Sequence, residues 1–294
     1  MSEHPATRSS HSVPELRSSA EETGSVSPQS RREQVIAIIP ARYASSRFPG
    51  KALVDLAGKP MIQWVYERTC QATGVGRVLV ATDDEGILRV VQGFGGDAVM
   101  TSSSHPTGTD RLAEVAATLD AELIVNVQGD EPLIEPAAID AALRPFAEEP
   151  TLVMSTLRSP IPTVDELFDL SITKVVTDAD GFALYFSKAP IPYHRDAWGP
   201  ITSMVPRLRL AGGTAPVVGW RHIGLYVYRR TFLLAFARLP QTPLERLEQL
   251  EQLRALEHGY RIKVVPTPYV SVGVDTPDDV AKVRRLLRGE RGEP

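Results

Sequence analysis

Short apolar runs and helical repeats alternate along the chain from residue 34 onward. Val35–Ile39 is a continuous apolar run of strand length. Pro60 then precedes helical spacing over Met61–Thr73, and proline suits the first position of a helix. Arg77–Thr82 (RVLVAT) is a second apolar run, followed by a predicted helix at Glu85–Phe94. Asp97–Thr101 reads as a third strand and Thr109–Leu119 as an amphipathic helix. Leu123–Val127 (LIVNV) is a fourth apolar run, and a helix over Ala137–Glu148 stops before Pro150. Strands alternating with helices imply right-handed βαβ units and a mostly parallel sheet covered on both faces. The predicted fold class is α/β.

The second half changes character. Lys174–Val176 and Ala183–Ser187 flank the turn signal Asp178-Ala179-Asp180-Gly181, which predicts a hairpin. Residues 197–219 hold three prolines with little periodicity and read as a loop. His222–Tyr228 is strand-like, with β-branched and aromatic residues. Pro243–His258 predicts one long helix, begun by proline and ended by Gly259, with leucines at Leu244, Leu247, Leu250, Leu253 and Leu256. A step of three residues turns about 300°, so these leucines drift into a broad apolar face. Glu245, Glu248 and Gln252 then share another face. Arg261–Val265 reads as a last strand and Pro277–Leu287 as a closing helix.

Composition narrows the possibilities. At 294 residues and 43% hydrophobic, the chain can bury a large core. A net charge of −4 argues against general affinity for nucleic acid or anionic membrane, so any cationic site must be local. No apolar run reaches the ~18 residues of a membrane-spanning helix. Residues 1–33 carry nine serines, no aromatic residue and mixed charge, and are expected to be a disordered tail without a secretory signal. Residues 289–294 read as a short C-terminal tail. Cys70 is the single cysteine, which excludes an internal disulfide and fits a cytoplasmic protein; it is expected to be a small buried filler on its helix.

Ligands of open α/β sheets sit beyond the carboxyl ends of the strands. The loop "PARYASSRFPGK" follows the first strand there and carries Arg42, Arg47 and Lys51. Three cations in one irregular loop can converge on a polyanion, and triphosphate is the natural candidate. The glycine order of a Walker A loop is absent. The alternative is a solvated loop with incidental cations. The fourth strand ends in Gly129-Asp130-Glu131-Pro132, and a carboxylate there faces the same crevice. Hard oxygen ligands beside a phosphate cradle suit Mg²⁺, although Asp130 could instead cap backbone amides in a turn. Asp275, before Thr276-Pro277, is either a helix cap or a second metal carboxylate. His222 at the start of a strand is either structural or a site residue.

Taken in order, "PARYASSRFPGK", "GKPMIQWV", "VATDD", "HPTGTDRLAE", "VNVQGDEPLI", "YFSKAPIP", "RHIGLY", "PLERLEQLEQLR" and "GVDTPDD" closely resemble the 3-deoxy-manno-octulosonate cytidylyltransferase family, from Val35 to about Leu287. The resemblance implies a Rossmann-like nucleotide-diphospho-sugar transferase sheet over residues 34–288, with 174–228 as a β-rich subdomain for sugar binding and dimerisation. It implies transfer of CMP from CTP to the anomeric hydroxyl of the acidic sugar KDO, by direct attack and with release of pyrophosphate. By resemblance, Arg42, Arg47 and Lys51 hold the triphosphate, Arg111 and Gln128 the cytidine, and Asp130 and Asp275 the Mg²⁺. Arg42, Lys51, Asp130 and Asp275 form the catalytic set in this reading. Lys188, His222, Tyr226, Glu245 and Gln252 form the sugar set.

The chain departs from the family pattern in Lys188, where arginine is usual, so a bidentate grip becomes a point charge. It also departs in the longer stretch 197–219. Cytidylyltransferases for 8-amino-KDO or sialic acid are the nearest alternatives, and the sialic acid branch typically opens with a different, glycine- and lysine-rich loop. A nucleotide-binding regulatory protein on the same fold is the alternative of another class.

Overall fold

The computed structural model describes residues 34–44, 48–193, 195, 219–270 and 272–289. The loop residue Arg47, the N-terminal tail, nearly all of the 197–219 stretch and residues 290–294 lie outside them.

The first strand, β1 (Val35–Ala41), sits in the middle of a nine-stranded sheet. It lies between β4 (Arg77–Thr82) and β6 (Leu123–Asn126), parallel to both. Burial on both sides explains its unbroken apolar run. Val35, Ala37, Ile39 and Ala41 join the core on one face, and Ile36 and Ile38 the core on the other. Short strands β2 (Asp55–Leu56) and β3 (Lys59–Pro60) form a separate hairpin. The edge beyond β4 is β5 (Ala98–Met100).

Beyond β6 the sheet becomes mixed. Strand β10 (Trp220–Arg229) runs antiparallel between β6 and β7 (Met154–Pro160), and β11 (Lys263–Pro266) lies parallel to β7. The hairpin of β8 (Lys174–Thr177) and β9 (Ala183–Ser187) turns where expected and extends the same sheet through β8 and β10. Strand β7 escapes the sequence reading because MSTLRSP buries Ser155, Thr156 and Ser159 in place of an apolar run.

The predicted helices form at α1 (Met61–Cys70), α2 (Glu85–Gly93), α3 (Gly108–Ala117) and α10 (Pro277–Leu287), the first and third ending two or three residues early. Two of the expected helices are divided. The helix over Ala137–Glu148 divides into α4 (Pro136–Leu143) and α5 (Pro145–Glu148), because Pro145 cannot donate a backbone hydrogen bond. After α6 (Val164–Phe168) and α7 (Arg230–Phe236), the long helix over 243–258 breaks into α8 (Pro243–Glu248) and α9 (Gln252–Glu257). Gln249 takes a left-handed conformation there, φ 55°, ψ 43°. The leucine repeat therefore never forms one face: Leu250 and Leu253 are buried while Leu247 is 80% exposed. Cys70, expected inside, is exposed at the end of α1. No described helix is long and apolar enough to cross a membrane.

Candidate active site

The carboxyl ends of β1 and β6 open into a cavity of about 280 Å³, walled by Arg42, Lys51, Arg111, Gln128, Asp130 and Asp275 among others. Two glycines shape it. At Gly129 a Cβ would lie 2.7 Å from the Pro40 carbonyl oxygen, so only glycine lets the turn after β6 pass so close to the end of β1. Gly50, at φ 70°, takes the left-handed turn that starts a short 3₁₀ helix, Lys51–Leu53, and its N–H bonds back to the Tyr43 carbonyl at 2.9 Å. That turn brings Lys51 back over the cavity.

Asp130 and Asp275 are 145 residues apart in sequence and meet at the Lys51 ammonium. The Val274 N–H donates to the Asp130 carbonyl at 2.9 Å, tying the segment before α10 to the turn after β6. Val274 itself is buried with Leu56, Met61, Val280 and Val283 in a third apolar cluster, which anchors that segment. The Lys51 Nζ donates to Asp130 Oδ2 at 2.6 Å, to Asp275 Oδ1 at 3.1 Å and to the Val274 carbonyl at 3.3 Å. Burial works to lower the Lys51 pKa, but the Asp130 and Asp275 carboxylates outweigh it and hold the ammonium above the ordinary lysine value. Capping of α10 belongs to Thr276, whose side chain accepts from the Asp279 N–H, and to Asp279, which accepts in return. The Asp275 carboxylate thus turns to the cavity and does not cap the helix.

One cation reaching both carboxylates is also the test of a metal site here. The two oxygen donors stand close enough to share a single ion, and Mg²⁺ commonly takes one or two carboxylates plus phosphates and water. Among the described residues no group of three or more His, Cys, Asp or Glu side chains could hold a metal by itself. The donor set fits a metal that arrives with a phosphate ligand.

The opposite wall is fixed by α3. Thr107 caps that helix by accepting from the Asp110 N–H, and its Oγ1 donates to Asp110 Oδ2 at 2.7 Å, with Glu251 Oε1 3.3 Å away. Arg111 is only 2% exposed; it pairs with Asp83 at 2.7 Å and with the Thr101 hydroxyl. Gln128 donates to the Gly224 carbonyl at 3.1 Å and so links the cavity to β10, whose register shifts between Ile223 and Tyr226.

Lys188, His222 and Tyr226 form a second cluster on the neighbouring strands. The His222 ring lies 4.9 Å from Phe186 and 5.4 Å from Tyr226, centroid to centroid. Its Nε2 is 3.0 Å from Thr156 Oγ1, a hydroxyl also within reach of the Ile223 and Leu225 carbonyls. A hydroxyl has one hydrogen, and those carbonyls can only accept, so His222 Nε2 is assigned as the donor and Nδ1 as the acceptor. Burial first, and then the Lys188 charge, lower the His222 pKa to about 3, leaving a neutral imidazole. Burial and nearby Glu251 push the Tyr226 phenol far up. Lys188 donates its ammonium to the Ser171 carbonyl at 2.8 Å and its backbone N–H to Glu248 at 2.9 Å.

Glu245 is engaged away from these clusters. Glu245 completes the capping box of α8 with Thr242 and accepts from Arg254 Nε at 2.8 Å, both side chains buried. The Gln252 amide nitrogen is buried with no hydrogen-bond partner among the described residues. The turn at Gln249 swings this pair off the face they would share on a continuous helix. Glu251, Asp83 and Glu248 take places that the sequence reading misses. Glu251 accepts from Thr109 at 2.6 Å, and burial raises its carboxyl above the usual range against that bond. The signals for Asp83 and Glu251 lay inside "VATDD" and "LEQLR", but their partners are remote in sequence.

Comparison with known proteins bears on this geometry. A sequence profile of the cytidylyltransferases matches residues 36–262. The 3-deoxy-manno-octulosonate cytidylyltransferase of Geobacter sulfurreducens is 56% identical over 254 residues, 86% of this chain and 99% of that protein. That of Syntrophotalea carbinolica is 58% identical over 255 residues, 87% and 99% of the two chains. The chain belongs to the 3-deoxy-manno-octulosonate cytidylyltransferase family. A solved CMP:2-keto-3-deoxy-manno-octonic acid synthetase complexed with CTP superposes with a TM-score of 0.78 at 41% identity, over 88% of this chain and all of that one. Within the family sheet, the profile covers the cationic loop, Arg111 and the Gly129–Asp130 turn. Asp275 lies beyond it and reaches the cavity through the Val274–Asp130 bond.

Proposed function

We propose that the protein transfers CMP from CTP to 3-deoxy-D-manno-octulosonate, KDO, giving CMP-KDO and pyrophosphate. The observation that carries this reading is one cavity lined by Arg42, Lys51, Asp130 and Asp275, at the strand ends of a family cytidylyltransferase sheet. Arg42, Arg47 and Lys51 take the triphosphate; Arg111, held in place by Asp83, and Gln128 take the cytidine portion. Asp130 and Asp275 hold Mg²⁺, which when bound lowers the pKa of the anomeric hydroxyl and screens the two anionic substrates from each other.

The rest is positioning. Phosphoryl-type transfer needs alignment and charge stabilisation more than covalent help, and no nucleophilic side chain of this chain is required. The neutral His222 offers its Nδ1 as an acceptor for a sugar hydroxyl, with Tyr226 and Lys188 beside it. Glu248, beside Lys188, and Glu251, beside Tyr226, are the carboxylates next to this cluster, and Glu245 is not. In this reading the enzyme works in the cytoplasm, activates KDO for lipopolysaccharide biosynthesis, and forms a homodimer through the 174–228 region, where Leu184 is 62% exposed.

The test is pyrophosphate release by the purified protein with nucleotide and sugar varied. CTP with KDO is expected to give turnover, and CTP with 8-amino-KDO or sialic acid much less. No pyrophosphate from KDO overturns the reading. Sedimentation equilibrium showing only monomer overturns the dimer.

A further inference from the structure

We infer that Lys51 is the resident counterion of the Asp130–Asp275 pair and exchanges with the divalent cation, so that metal loading releases its ammonium to the triphosphate. The inference rests on the proposed reading of Asp130 and Asp275 as metal-holding carboxylates.

The geometry is that of a cation already in the metal's place. An ammonium has three hydrogens, and Lys51 directs them at Asp130 Oδ2, Asp275 Oδ1 and the Val274 carbonyl. Its side chain is 17% exposed, less than either carboxylate partner, so it lies under them and not at the rim. Mg²⁺ binds oxygen at about 2.0–2.1 Å. A metal held by both carboxylates must therefore occupy the space the ammonium fills, and two cations that close repel strongly. To donate to a phosphate, Lys51 must also give up at least one of its present acceptors.

Charge favours exchange over coexistence. Two carboxylates and one ammonium sum to −1, a net charge that attracts a divalent cation. When the cation neutralises the carboxylates, the freed positive charge goes to the polyanion. The other buried cation of the cavity cannot do this, because Arg111 is committed to Asp83. A lysine is suited to such an exchange, since its four-carbon stem is flexible and its donors rotate, whereas a guanidinium is a planar fork. The consequence is coupling. A triphosphate gives the displaced ammonium a new partner, so nucleotide and metal each raise the affinity for the other.

The experiment measures Mn²⁺ binding to the full-length protein by the paramagnetic resonance of free Mn²⁺, without and with CTP, for wild type, Lys51→Met, Lys51→Arg and Lys51→Met/Asp130→Asn. Thermal melting checks that each is folded. Lys51→Met is expected to bind Mn²⁺ alone at least about tenfold more tightly than wild type, since the two charge-assisted hydrogen bonds to Asp130 and Asp275 no longer have to be displaced. The enhancement of Mn²⁺ affinity by CTP should shrink by a similar factor. Should Lys51→Met fail to fold, Lys51→Arg carries the test, because its fork grips the carboxylates and should weaken Mn²⁺ binding. Unchanged Mn²⁺ affinity in the folded variants overturns the exchange. A gain in Lys51→Met that survives Asp130→Asn overturns the metal assignment itself.

Discussion

Replacing His222 with glutamine should make the protein less sensitive to acid, and the size of the effect follows from the burial of one ring. Glutamine keeps a donor for Thr156 but does not titrate. In the fold the imidazole has a pKa of about 3, against 6.5 for the ordinary group, because burial and Lys188 both disfavour its cation. The folded value is depressed, so the group costs nothing while pH stays above 6.5, where both states are neutral. Below 6.5 the unfolded chain takes up a proton that the folded chain refuses until about pH 3, and stability falls as pH falls through that window. At pH 5 the unfolded state is favoured by about 2 kcal/mol relative to pH 7.5, from 1.36 kcal/mol per pH unit of differential protonation. Urea unfolding of wild type and His222→Gln at both pH values isolates this, since the other histidines and carboxylates cancel in the double difference. Wild type should lose about 2 kcal/mol more than the variant. Equal losses would show that His222 protonates freely in the fold, and the assignment of a neutral acceptor at the sugar cluster would fall with it.

Asp130→Ala and Asp275→Ala should each lower kcat by at least ~10², the scale of lost charge stabilisation, as read by pyrophosphate release; near-normal rates in both would remove the metal role. Glu245→Gln should destabilise the protein by about 1–3 kcal/mol in urea unfolding, because the buried Arg254 keeps only Glu251, 3.5 Å away, as a charged partner, while the KM for sugar in the folded protein stays put; a raised KM would return Glu245 to the sugar site. Asp83→Asn should raise the KM for CTP several-fold with kcat nearly kept, since Arg111 loses its anchor; unchanged CTP affinity refutes the positioning role. Gly129→Ala should cost about 1–3 kcal/mol in thermal or urea unfolding, because its Cβ would press on the Pro40 carbonyl.

What the sequence makes legible here follows the range of the interactions. Strands β1, β4 and β6 are buried on both faces, so burial itself writes them into the chain as apolar runs, and the crevice beyond their ends could be located with the cationic loop and the Asp130 turn beside it. Strand β7 is just as buried but hides polar side chains, among them Ser155, which bonds to the Ala142 carbonyl at 2.7 Å. A hydrogen bond of that kind leaves no mark on hydropathy. The antiparallel β10 is legible as a strand, but its insertion between β6 and β7 is decided by non-local pairing that periodicity does not encode.

The helix over 243–258 shows the same limit at the level of function. A repeat of leucines every three residues is compatible with one continuous helix, and on that helix Glu245 and Gln252 would look outward together. The break at Gln249 is set by tertiary contacts: Arg254 reaches back nine residues to Glu245, and Glu251 reaches across to Thr107 and Thr109. Ion pairs between α8 and α9 need the chain to fold over, which a straight helix forbids at that separation. The carboxylates that meet the second cluster are thereby Glu248 and Glu251, and Glu245 is turned to Arg254. The same reasoning applies to the cavity. Residue types at strand ends identify Lys51, Asp130 and Asp275 as candidates one by one. That the ammonium sits between the two carboxylates depends on the Val274–Asp130 backbone bond and on the third apolar cluster, contacts between segments remote in sequence. Chemistry at this site is therefore readable from local sequence, but the competition between its own lysine and a metal is a property of the folded chain alone.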